Sequence, residues 1–138
     1  MSRAPVSPIA VDTSALIVAM IEEKDGTYAS ILRERPCLIG WPTLLEFRMV
    51  LQSKTDFLAI EPVLQNVLDI KNVRMVDFSQ AHFFAATSAF SRFGKGSGHK
   101  AGLNYGDCMA YAVAKVADVP LLFVGNDFMH TDVAVLPV

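Results

Sequence analysis

Ile9-Ala10-Val11-Asp12-Thr13-Ser14-Ala15-Leu16-Ile17 decides the fold of this chain. Three apolar residues end abruptly at an acid. Two hydroxyl residues follow, and then an apolar run resumes at helical spacing. A short, uninterrupted apolar run bounded by polar residues is the mark of a strand buried on both faces. Ser14 reads as the N-cap of a helix continuing to about Glu23. A buried strand feeding straight into a helix is the opening of a parallel α/β unit, with Asp12 at the strand's carboxyl end.

The rest of the chain repeats that unit. Asp25-Gly26 breaks the first helix, and a second covers about Thr27 to Arg35, stopped by Pro36. Cys37-Leu38-Ile39 is the second strand. Pro42 marks a helix start, and Leu44, Phe47, Val50 and Leu51 carry helical spacing to Lys54. A further helix covers Phe57 to Leu68, its start blurred by Pro62. Val73 to Phe78 reads as the third strand, and Ser79 caps a helix to Phe93. Asp107 opens a helix through Ala117, and Leu121 to Val124 is the fourth strand. The expected fold is a three-layer α/β/α sandwich on a mostly parallel sheet, as one domain over residues 9–138 behind a tail of residues 1–8.

Composition agrees with this reading. The 138 residues are 52% hydrophobic and 19% charged, too apolar for a disordered chain. Mean hydropathy is +0.36, which suits a full core or some apolar surface for a partner. The net charge of −2 argues against a bulk electrostatic grip on nucleic acid. Cys37 and Cys108 lie in apolar surroundings without metal-site spacing, so each reads as a small buried hydrophobe. The run Ile9 to Ile21 is interrupted by Asp12, Thr13 and Ser14, is too short to span a bilayer, and is followed by no signal-peptide cleavage pattern; the default is a cytoplasmic protein without membrane contact.

Ligands of open α/β sheets gather beyond the carboxyl ends of the strands. Asp12 and Asp127 follow the first and fourth strands, Glu46 lies one turn into the helix after the second, and Asp107 opens a helix at the same edge. Each has a plain alternative: Asp12 and Asp107 as caps, Glu46 as a solvated helix residue, Asp127 as a turn residue after Gly125-Asn126. Together, four carboxylates from separate segments need a divalent cation to offset their repulsion, and all-oxygen ligation suits Mg²⁺ or Mn²⁺. Arg92, Lys95, His99 and Lys100, around the glycine-rich segment 94–102, could hold a nucleic-acid backbone or simply be solvated. His82 and His130 have no partner at metal spacing, and Trp41 reads as packing.

Val11-Asp12-Thr13-Ser14-Ala15-Leu16, Leu44-Leu45-Glu46-Phe47, Leu103-Asn104-Tyr105-Gly106-Asp107-Cys108 and Leu122-Phe123-Val124-Gly125-Asn126-Asp127-Phe128 resemble, in order, the four acidic motifs of the PIN-domain family, in the form found in VapC toxins. The resemblance implies a Mg²⁺- or Mn²⁺-dependent endoribonuclease, the toxin of a toxin–antitoxin pair. It carries the acidic ligands onto Asp12, Glu46, Asp107 and Asp127, a hydroxyl role onto Thr13 or Ser14, and an accessory acid onto Asp132. It implies an RNA substrate, a homodimer and a VapB-like antitoxin. Leu44, Leu51, Phe57 and Leu58 could form a groove for that partner, or be ordinary core. The alternatives are a PIN-like RNA-processing nuclease that is not a toxin, and a non-catalytic RNA-binding scaffold. A haloacid-dehalogenase-like phosphatase would want an acid where Ser14 stands, and a receiver domain would want an acidic pair by the first strand.

Overall fold

The computed structural model describes residues 6–138; residues 1–5 of the expected tail lie outside them. Four parallel strands form the sheet: β1 (Ile9–Val11), β2 (Cys37–Gly40), β3 (Val73–Val76) and β4 (Leu121–Leu122), in the order β3-β2-β1-β4. Among the described residues six helices cover it: α1 (Thr13–Ile17), α2 (Thr27–Glu34), α3 (Trp41–Lys54), α4 (Phe57–Leu68), α5 (Gln80–Phe93) and α6 (Tyr105–Ala117). A wider π-type turn, Val18–Glu22, prolongs α1.

Alternation along the strands builds the layers. Ile9, Val11, Cys37, Ile39 and Leu122 pack on one face with Leu16, Leu32, Phe47, Leu51 and Ile60 from α1 to α4. Ala10, Leu38 and Leu121 point the other way, onto Ala86, Ala89 and Phe93 of α5 and the buried residues of α6. Side chains of a strand alternate between faces, so a strand buried on both must be apolar throughout. Phe47 is fully buried, and its truncation to alanine costs about 3–5 kcal/mol. Both cysteines are buried, and burial pushes both thiols up to about 11, as inert core residues require.

Several boundaries differ from the expectations. β4 stops at Leu122 because its partner β1 ends at Val11, with which Leu122 is aligned. β3 likewise stops at Val76, opposite Gly40, the last residue of β2. Asp12, not Ser14, caps α1: its backbone is extended and its carboxylate accepts from the Ser14 N–H. Asn104, not Asp107, caps α6, and Asp107 completes a reciprocal capping box as the third helical residue. Pro62 lies inside α4. The carbonyl it leaves unpaired belongs to Leu58, 87% exposed, where solvent can satisfy it.

The chain runs outward from β1 to β2 and β3, then returns to place β4 on the other side of β1. The reversal of strand order between β1 and β4 opens a crevice at their carboxyl ends.

Candidate active site

Asp12 leaves β1 at that crevice. Its Oδ2 accepts from the Ser14 N–H at 3.0 Å and from the Ser14 hydroxyl at 2.6 Å. Its Oδ1 is buried with no hydrogen-bond partner. Ser14 Oγ in turn accepts from the Val124 N–H at 2.9 Å, which ties the exit of β4 to the carboxylate after β1. Gly125 then turns the chain at φ +104°, a conformation side chains resist, and presents Asp127.

Glu46 comes from the second turn of α3 and is half-buried. Its Oε1 accepts from the Thr13 hydroxyl. The two hydroxyl residues after Asp12 thus serve different acids: Thr13 holds Glu46 and Ser14 holds Asp12. Asp107 Oδ2 accepts from the Asn104 N–H at 3.0 Å, while the Asp107 N–H donates to Asn104 Oδ1 at 2.9 Å. That box fixes the carboxylate at the α6 N-terminus.

Asp12, Thr13, Ser14, Glu46, Asp107 and Asp127 line one open cleft. Burial, more than mutual repulsion, sets their electrostatics. Burial pushes the Asp12 carboxyl up to about 6 against the hydrogen bonds from Ser14, and Glu46 adds repulsion. Burial pushes Asp107 up to about 7, with further repulsion from Asp12, Asp127 and Glu46. Among the described residues no three acids, histidines or cysteines stand close enough to make a ready-made metal cage. An orphaned, buried carboxylate oxygen beside three further carboxylates fits a hard divalent cation, which supplies the missing partner and neutralises the repulsion.

The cleft also holds residues the sequence did not single out. Glu22 and Lys54 line it, their charges 3.2 Å apart. Helical spacing from the acids could have found them: Ser14, Val18 and Glu22 fall at i, i+4 and i+8, as do Glu46, Val50 and Lys54. Lys54 is the one cation among the cleft-lining residues described.

Other expected residues lie elsewhere. Asp132 is not among the cleft-lining residues. It accepts from the Tyr111 hydroxyl at 2.6 Å and pairs with Arg92 at 3.2 Å and Lys115 at 3.4 Å, pinning the C-terminal segment to α5 and α6. Arg92 is committed there and to the face of Phe93. His99 accepts from the Ala101 N–H and packs its ring edge-on to Phe93, an internal brace of the glycine-rich loop. Lys95 and Lys100 are exposed and outside the cleft. His82 completes the cap of α5 with Ser79. Leu44 and Leu51 are core, whereas Phe57 and Leu58 are exposed at 74% and 87%. Trp41, read as packing, is half exposed at the edge of a groove between α3 and α4.

The PIN domain family profile matches residues 9–134, most of the chain. The chain belongs to the PIN domain family. Among curated PIN-domain relatives, ribonuclease VapC28 of Mycobacterium tuberculosis is 40% identical over 129 residues, which cover 89% of this chain and 93% of that protein. The fold also matches solved structures. The VapBC2 complex of Rickettsia felis, bound to a DNA fragment from its promoter, aligns with a TM-score of 0.70 at 17% identity, covering 95% of this chain and 98% of that one. VapC20 of Mycobacterium tuberculosis, described as a sarcin-ricin loop cleaving toxin, aligns with a TM-score of 0.70 at 17% identity, covering 93% and 98%. At that identity the likeness shows the fold alone. Among the described residues no helix of this PIN-domain chain is long and apolar enough to cross a membrane.

Proposed function

We propose that this PIN-domain chain is a divalent-metal-dependent endoribonuclease, using Mg²⁺ or Mn²⁺, and the toxin of a cytoplasmic toxin–antitoxin pair, with residues 9–138 as its single nuclease domain. The observation that carries the reading is the buried, unpartnered Asp12 Oδ1 in a cleft shared with Glu46, Asp107 and Asp127. Those four carboxylates would hold the ion. When bound, it supplies charge neutralisation at a phosphate and a more acidic water.

The chain's own residues do the positioning. Ser14 saturates Asp12 Oδ2 and so aims the demand for a ligand through Oδ1. Thr13 orients Glu46, and the Asn104 box orients Asp107. A phosphodiester approaching five acids needs a cation, and Lys54, released from Glu22, is placed to meet a phosphate oxygen. Lys95 and Lys100 can extend the contact along a longer strand.

A nuclease of this kind needs restraint in its own cell, and the relatives support a VapB-like antitoxin. An arginine of such a partner matches the carboxylate cleft by charge and geometry. The groove of Trp41, Leu45, Arg48, Leu64 and Leu68 between α3 and α4 suits an amphipathic helix, and exposed Phe57 and Leu58 add apolar surface on α4. Exposed Phe83, Phe84 and Phe90 on α5 leave apolar surface of the kind a homodimer covers.

The test is brief induction of the protein followed by mapping of new RNA ends. Discrete cuts that vanish with Asp107→Asn and on co-expression of the adjacent small reading frame are expected. Unchanged RNA under induction would defeat the nuclease reading. Cuts that persist beside the antitoxin candidate would defeat only the pairing.

A further inference from the structure

The Glu46 carboxylate lies directly against a residue with no side chain. Gly106 is the second residue of α6, buried against the Glu46 carboxylate. A Cβ built at Gly106 would meet Oε2, Cδ and Oε1 of Glu46, all nearer than the 3.0 Å that real Cβ atoms keep. The Gly106 backbone is not left-handed, so conformation does not demand glycine here. Helix propensity disfavours it, since alanine is the better helix former. What glycine supplies is room.

On the opposite side the Thr13 hydroxyl donates to Glu46 Oε1. The Thr13 side chain is buried and its hydroxyl also faces the Thr43 carbonyl at 3.4 Å, so its position is set by the packing of α1 on α3. Two independent elements, α1 and α6, therefore close on one carboxylate from α3.

We propose that Gly106 and Thr13 are positioning residues that form a seat for the Glu46 carboxylate and so set where that acid meets the divalent ion. This rests on the metal reading above. Any side chain at position 106 displaces the far end of Glu46, a flexible group, rather than backbone. Gly106→Ala should therefore fold and yet misplace one acid of four. Loss of the hydroxyl in Thr13→Val should free the same carboxylate from the other side, and Thr13→Ser should restore it.

The experiment is titration of the full-length protein with Mn²⁺, reading free ion by electron paramagnetic resonance, beside thermal melts without metal. The wild type should bind. Gly106→Ala and Thr13→Val should bind about 10–100-fold more weakly, the size typical of a lost supporting contact, while Thr13→Ser stays near wild type. In a Glu46→Ala background Gly106→Ala should change Mn²⁺ affinity no further. There it should also raise the melting temperature more than it does with Glu46 present, because the new methyl meets no carboxylate. Wild-type affinity in Gly106→Ala, or an equal effect on melting whether residue 46 is Glu or Ala, overturns the seat. A wild type that binds no Mn²⁺ overturns the metal reading instead, and the melting comparison still judges the seat.

Discussion

Asp12 at about 6 and Asp107 at about 7 hold their protons well above the ordinary carboxylate range, chiefly because burial penalises the charged form. The unfolded chain releases both protons near pH 4. Between there and pH 7 the folded protein binds more protons than the unfolded one, so these groups make metal-free protein less stable as pH rises through that window. A divalent ion reverses the sign by favouring the charged forms. Thermal melts should show metal-free protein losing stability from pH 5 to pH 8, and Mn²⁺ raising the melting temperature more at pH 8 than at pH 5. A shift independent of pH would count against these carboxylates as ligands. Ser14 acts beside them: Ser14→Ala leaves Asp12 with only the residue-14 backbone N–H and takes the partner from the Val124 N–H, and should lower RNA cleavage by about 10–100-fold. The residue types and spacing made Asp12, Glu46, Asp107 and Asp127 readable as candidates. They could not divide Thr13 from Ser14, because both hydroxyls follow the acid and only the α3 packing shows which one reaches Glu46.

Helix termini were the least readable elements. Asp12, Thr13 and Ser14 can each cap a helix, as can Asn104 and Asp107, and the choice depends on which backbone is extended. The outcome joins stability to the site, since the Asn104 box that caps α6 also aims Asp107. Asn104→Ala should cost about 1 kcal/mol in denaturant unfolding and also weaken cleavage. Unchanged cleavage at reduced stability would make the box a cap only. The resemblance offered Asp132 as an accessory acid, and the sequence could not show its partners: Tyr111, Arg92 and Lys115 hold it against α5 and α6. The strands were easier, because apolar runs on a doubly covered sheet leave little choice; only their ends needed the partner strand's length.

Across the whole molecule, the order of strand and helix signals was enough for the parallel three-layer fold, and the four acids followed from it. Surface roles were not, because they depend on which apolar residues the packing uses: Leu44 and Leu51 went into the core while Leu45 and Met49 stayed outside. The basic loop was legible as charge alone, and Lys54 was not singled out although it lines the cleft, since net local charge does not say which cation faces the cleft. Lys54→Gln should reduce the slope of log affinity against log salt for a single-stranded RNA oligonucleotide by about 0.7. An unchanged slope would remove Lys54 from the phosphate path.

The most direct test of the account is cleavage of a synthetic RNA by purified protein, with and without chelator, reading the chemistry of the new ends. A metal-activated water leaves a 5′-phosphate and a 3′-hydroxyl. The account predicts those ends in Mg²⁺ or Mn²⁺, no cleavage in chelator, and a loss of orders of magnitude in Asp12→Asn and Asp107→Asn. Cleavage in chelator, or 2′,3′-cyclic phosphate ends, would contradict it.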